Sequence, residues 1–135
     1  AYEPIFIKKN YDFYLTKIIT DGEKKINQTI KDSFLEKTKI DSSKRYEILL
    51  KSKMSKKIIA SNKKGDPTIY KLDIFVEYNI IKNKEIILTN EILKQATYNN
   101  IDDKFELLTY EENVIDNLSE RFADDILLSI ATLAK

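Results

Sequence analysis

Residues 45–61 read RYEILLKSKMSKKIIAS, and their alternation decides the fold. Tyr46, Ile48, Leu50, Met54, Ile58 and Ala60 stand at even positions, with Arg45, Glu47, Lys51, Lys53 and Lys57 between them. Side chains of an extended chain point alternately to opposite faces, so this period predicts a half-buried strand over 45–61. The pattern recurs downstream. Tyr70, Leu72, Ile74, Val76, Tyr78 and Ile80 alternate with Lys71, Asp73, Glu77 and Asn79, predicting a strand over 68–81. Ile86, Leu88, Ile92, Ala96 and Tyr98 mark a further strand over 85–99. Breakers separate the runs: Gly65 and Asp66-Pro67 in the first turn, Lys82-Asn83-Lys84 in the second. Strands joined by turns this short form an antiparallel meander.

The period changes on both sides of the meander. Upstream, 13–20 reads as a strand, and Thr20 followed by Glu23 has the spacing of a capping box. Ile26, Ile30 and Phe34 then recur every fourth residue, which predicts a helix over 21–37. Downstream, Thr109 and Glu112 make a second such box, and Val114, Leu118, Phe122, Ile126, Ile130 and Leu133 form one stripe of a helix over 109–134. The fold class is therefore α+β: strand, helix, three-strand meander, helix, with both helices on one face of a four-stranded sheet and the other face open. We read 1–135 as a single domain, with 1–12 as an extended N-terminal arm. The even-numbered apolar residues of the meander, its tyrosines included, are expected under the helices. Phe75 and Ile87 have the opposite parity and give the open face some apolar character.

Composition excludes much chemistry. The 135 residues include no Cys and no His, which removes thiol nucleophiles, Ser-His and Cys-His dyads, disulfides and most zinc sites. With Gly22 and Gly65 the only glycines, no phosphate-cradling glycine loop can be written. The acidic pairs Asp102-Asp103, Glu111-Glu112 and Asp124-Asp125 are the remaining candidates for carboxylate catalysis, but they fall where helix electrostatics alone would favour them. We expect no catalytic residue, no metal, no cofactor and no enzymatic activity.

Net charge is only +1, yet the charge is unevenly spread. Residues 44–64 hold eight basic side chains against Glu47, whereas 102–125 hold nine acidic ones against Lys104 and Arg121. Lys51, Lys53 and Lys57 share one strand face, and Lys63 and Lys64 extend the stripe into the turn. These five are the candidate site for phosphates or other anionic groups.

The opening Ala1-Tyr2-Glu3-Pro4-Ile5-Phe6 is similar to the segment that follows the lipidated Cys in lipopolysaccharide-assembly lipoproteins of the LptE (rare lipoprotein B-like) family. The order of elements, the length, and the region from Tyr98 to Tyr110 leading into Leu118–Ile126 also resemble that family. Its basic residue early in the first helix finds Lys24 and Lys25. The resemblance implies a lipid anchor on a Cys preceding Ala1 and a place on the periplasmic side of the outer membrane. It also implies two partners, the LptD β-barrel, which the domain would plug, and lipopolysaccharide, whose phosphates would meet Lys51, Lys53, Lys57, Lys63 and Lys64. A second reading is a module like the double-stranded RNA-binding domain, which shares the helix, meander, helix order. That module needs positive charge at the start of its last helix, where this chain places Glu111, Glu112 and Asp116, so no nucleic acid is expected.

Overall fold

A computed structural model describes residues 10–134. The elements are β1 (Tyr14–Gly22), α1 (Lys24–Lys37), β2 (Arg45–Ser61), β3 (Pro67–Lys82), β4 (Glu85–Asn99) and α2 (Lys104–Leu133). They form one sheet in the order β1-β2-β3-β4, with β1 parallel to β2 and the other neighbours antiparallel. The α+β class and the order expected from the sequence are those observed. Of the arm expected over 1–12, residues 1–9 lie outside the described residues, as does the motif Ala1–Phe6. Tyr11 bridges to Thr38, its N–H donating to Lys37 O at 2.8 Å.

The β1–α1–β2 crossover turns on one close approach. Gly22 has φ +100°, and a Cβ there would lie 2.0 Å from the carbonyl oxygen of Ser52 in β2. Only glycine accepts both conditions. The Ser52 hydroxyl accepts from Glu23 N at 3.0 Å and meets Asn27 Oδ1 at 2.7 Å, while Asn27 Nδ2 donates to Asp21 O at 3.0 Å. Glu23 is the N-cap of α1 but makes no side-chain cap, so a hydroxyl from the neighbouring strand satisfies that orphan N–H instead. The Thr20–Glu23 box expected here does not form, because Thr20 remains in β1.

Beneath this knot lies the core. Ile26, Ile30 and Phe34 of α1 and Leu118, Phe122, Ile126, Leu127 and Ile130 of α2 pack over Tyr46, Ile48, Leu50, Leu72, Ile74, Val76, Tyr78 and Ile80. The helices run parallel: Lys25–Glu112 at 3.8 Å and Lys37–Asp124 at 2.8 Å join residues with the same offset of 87.

Three expectations need correction. Helix α2 starts at Lys104, not 109; Asp103 is its N-cap, its carboxylate accepting from Phe105 N and Glu106 N. Thr109 is interior and donates to Phe105 O at 3.0 Å, so it caps nothing. Next, Met54, Ile58 and Ile86 have the inward parity yet are exposed. The 17 residues of β2 span roughly 55 Å and the 14 of α1 only about 21 Å, so α1 cannot cover the strand as far as Met54 and Ile58. Ile86 is exposed for another reason: the register shifts between Ile80 and Ile81, which sets Ile86 opposite the odd-numbered Ile81. Last, Tyr70 is only half-buried, although Tyr46, Tyr78 and Tyr98 are buried as expected. Both turns use positive φ: Gly65 in the first, and Asn83 (51°) and Lys84 (65°) in the two-residue second turn.

Two substitution pairs check this construction by denaturant titration. Gly22→Ala should cost about 3 kcal/mol or more, combining left-handed strain with overpacking, whereas Gly65→Ala, which faces open space, should cost about 1–2 kcal/mol. Asp103→Ala should cost about 1 kcal/mol through its lost cap, and Thr109→Ala clearly less.

Candidate functional site: the open sheet face and the distal hairpin

The sheet face turned away from the helices carries the odd-numbered residues of β2, β3 and β4. Successive rows across it are Asp21–Lys51–Glu77–Glu91, Lys53–Phe75–Leu93, Ser55–Asp73–Gln95 and Lys57–Lys71–Thr97. Lys51, Lys53 and Lys57 therefore share this face, as their parity predicted, and all are exposed. Their surroundings differ. Lys51 stands between two carboxylates, and Lys57 sits opposite Lys71 with its Nζ 3.8 Å from Asp73 Oδ2. Lys53 lies beside Phe75. Lys63 and Lys64 are exposed at the tip, six and seven residues along the chain from Lys57 in the last of these rows. Among the described residues Lys53, Lys63 and Lys64 make no ion pair.

The tip itself is rigidly built. Asn62 Oδ1 accepts from Lys64 N at 2.9 Å and Asp66 N at 3.0 Å, and Asn62 N donates to Asp66 O at 2.9 Å. The turn chemistry that ends the strand thus also fixes the backbone at Lys64. Between this turn and the start of α2 lies an open cleft of about 480 Å³, lined by Asn62, Asp66, Tyr70, Asn100, Asp102 and Lys104. No group of three potential metal ligands occurs among the described residues.

On the helix side, the distal part of the hairpin is held by a polar cluster that sequence reasoning missed. Lys56 Nζ lies 2.7 Å from Glu111 of α2 and 4.2 Å above the Tyr70 ring. The Tyr98 hydroxyl donates to the same carboxylate, and its ring packs against Tyr70 and Tyr110, each at 5.8 Å. Burial, reinforced by the hydrogen bond to Glu111, pushes the Tyr98 hydroxyl far above its usual pKa, so it stays a donor at physiological pH. Parity carried the missing signal, since Lys56 is even-numbered and belongs to the helix side. Glu111 was assigned to the helix N-terminus, but α2 begins seven residues earlier. Asp124 and Asp125 are likewise structural, pairing with Lys37 and Lys94, each at 2.8 Å. Beyond the cluster the surface is apolar on several sides: Met54, Ile58, Ile59, Phe105 and Leu108 are exposed, Phe105 at 77%.

Several solved structures with this fold are bacterial lipoproteins. Rare lipoprotein B from Shewanella oneidensis matches with a TM-score of 0.64 at 16% identity, over 88% of this chain and 96% of that one. An uncharacterized lipoprotein B from Nitrosomonas europaea gives 0.63 at 12% identity, over 98% and 93%. A putative lipoprotein from Caulobacter crescentus gives 0.60 at 15%, over 87% and 89%. No protein-family model matches the chain, and no curated protein matches it in sequence. At these identities the likeness shows the fold, which is the one that the resemblance to the lipopolysaccharide-assembly lipoproteins implied.

The polar cluster predicts a specific response to alkali. Tyr98→Phe should cost about 1.5–3 kcal/mol at neutral pH, the scale of a hydrogen bond to a charged group. Because the folded-state pKa is raised, the wild-type contribution is complete below the unfolded tyrosine value near 10 and declines as pH rises past it. The stability gap between wild type and Tyr98→Phe should therefore narrow above about pH 10, measured by urea titration across that range.

Proposed function

We propose that this chain is a non-enzymatic lipoprotein of the rare lipoprotein B type that binds lipopolysaccharide and plugs the LptD barrel, assisting lipopolysaccharide assembly at the cell surface. On this reading the domain hangs from the periplasmic side of the outer membrane by acyl chains on a Cys preceding Ala1. The observation that carries the reading is a shared fold over nearly the whole chain with several lipoproteins, joined to an open lysine-bearing sheet face that no helix covers.

The chemistry of the two ligands suits different parts of the surface. Lys53, Lys57, Lys63 and Lys64 run along the open face to the tip, where ammonium groups would make charge-assisted hydrogen bonds to phosphates of lipid A. Lys51, flanked by Asp21 and Glu77, is the least available of the five. Apolar side chains near these lysines, half-buried Phe75 on the open face and exposed Ile58 and Ile59 at the irregularity near the end of β2, suit the acyl part of such a ligand. A plug role needs a rigid body with polar outer surfaces and many short contacts, and the ion-paired helix layer meets that need.

Replacing Lys53, Lys57, Lys63 and Lys64 together by Glu should leave the circular-dichroism spectrum and melting curve nearly unchanged, because exposed charges contribute little to stability. Binding to purified lipopolysaccharide should fall at least tenfold, and wild-type binding should weaken with added salt. Co-expression of wild type with the matching barrel should yield a one-to-one complex. A wild-type protein that binds neither ligand would refute the reading.

A further inference from the structure

Among the described residues, strand β4 forms a lateral edge of the sheet, paired with β3 alone. An antiparallel strand directs alternate N–H and C=O groups to each side, so β4 aims a row of donors and acceptors away from β3. Natural sheets guard such edges with short strands, proline, bulges or charge. Here the edge is 15 residues long, contains no Pro, and is irregular only near its start, opposite Ile80 and Ile81. From Ile86 to Asn99 only Glu91 and Lys94 are charged. Lys94 does not guard the edge, because it is turned to the helix side, 2.8 Å from Asp125 with its Nζ 5.5 Å from the Phe122 ring centre. On the open face Leu93, 55% exposed, stands beside Phe75.

We propose that this edge is a strand-pairing surface whose occupant is the β4 of a second copy, antiparallel about a two-fold axis through Leu93, giving a continuous eight-stranded sheet. The sequence of β4 is complementary to itself about that point. The axis sets Leu93 against Leu93, Glu91 against Gln95 and Thr89 against Thr97 on the open face. On the helix face it sets Ile92 against Lys94 and Asn90 against Ala96. No like charges meet. Centring on Glu91 or on Lys94 would oppose two identical charges, and centring on Ile92 would set Leu93 against Glu91. The Leu93 axis alone joins the two apolar rows into Phe75–Leu93–Leu93–Phe75. It also brings the Gln95 amide to Glu91, which already faces Glu77 across the sheet. Helix α2 lies over β3 and β4, bonded to β3 through Tyr78 and Ser129 at 2.8 Å and to β4 through Lys94 and Asp125 at 2.8 Å. With strands about 4.8 Å apart, its two copies would lie roughly 10 Å apart, the spacing at which helices pack side by side.

Residues 1–135 contain no cysteine, which makes the test clean on this stretch of chain. On the axis of an antiparallel pair the Cα atoms lie roughly 4.5–5.5 Å apart, within disulfide range. Leu93→Cys should therefore give a disulfide-linked dimer on mild oxidation, while Lys53→Cys, exposed on the same face but two strands inward, should not. Sedimentation equilibrium of wild type should show a concentration-dependent dimer. Leu93→Lys, which places two ammonium groups on the axis, should remain monomeric with an unchanged melting curve. The variant with Lys53, Lys57, Lys63 and Lys64 changed to Glu should dimerise like wild type, which separates this inference from lipopolysaccharide binding. A wild type that stays monomeric to millimolar concentration, a Leu93→Lys that dimerises as well as wild type, or equal cross-linking of both cysteine variants would overturn it.

Discussion

The contact of Gly22 with the carbonyl of Ser52 sets the geometry on which the other elements depend. It brings the end of β1 against the middle of β2, so the chain must enter α1 there, with its first N–H groups beside a strand hydroxyl. A buried hydroxyl in an apolar strand is costly unless it is bonded, and Ser52 is bonded to both the helix start and Asn27. The same residue ends the buried run of β2: Tyr46, Ile48, Leu50 and Ser52 are covered, and Met54 is not. Seating α1 at this height fixes where α2 can lie, since the helices pack together and run parallel with paired charges at both ends of α1.

The length mismatch between strands and helices then divides the molecule. Its proximal half is a two-layer core with residues at or near zero exposure, Phe122 and Ile48 among them. Its distal half is a long hairpin covered on one side only by the first turns of α2. That cover is secured by polar chemistry, Tyr98 and Lys56 converging on Glu111, where a wholly apolar contact would leave the lysine stem and the carboxylate without partners. Fixing the hairpin in this way lets it hold lysines and apolar side chains clear of the core without fraying.

The meander was legible in the sequence because period two is enforced by the pleat and persists over long strands. The strand limits 45–61 and 85–99 agree with the structure, and the helices fell on their periodic stripes. Helix starts were less legible. Capping boxes at Thr20 and Thr109 fit by spacing, but the groups that serve α1 and α2 are Ser52, distant in sequence, and Asp103, whose acidic neighbour disguised it as surface charge. Parity located Lys51, Lys53 and Lys57 on one face but could not show that Asp21, Glu77 and Asp73 would sit among them, since that depends on register between strands. The Lys56–Glu111 pair was readable from parity on one side only. Its partner lies on a helix whose rotation no local pattern sets.

The two surfaces so described compete for space rather than for residues. A four-stranded sheet at about 4.8 Å per strand, with one helix layer, is a slim body of the kind that fits inside a barrel lumen. Pairing through β4 doubles the sheet to eight strands and roughly doubles its width, while leaving the lysines of the open face and the tip accessible. On the proposed reading, plugging and edge pairing therefore exclude one another although lipopolysaccharide binding is compatible with both. The free edge of β4 is a hazard to a monomer awaiting its partner, because an unguarded ladder invites irregular association. A closed two-fold pairing consumes that ladder completely, since both edges are used and no further strand can add there. Glu91 and Lys94 then act as register markers: they penalise the neighbouring axes and leave the Leu93 axis free of like-charge contact.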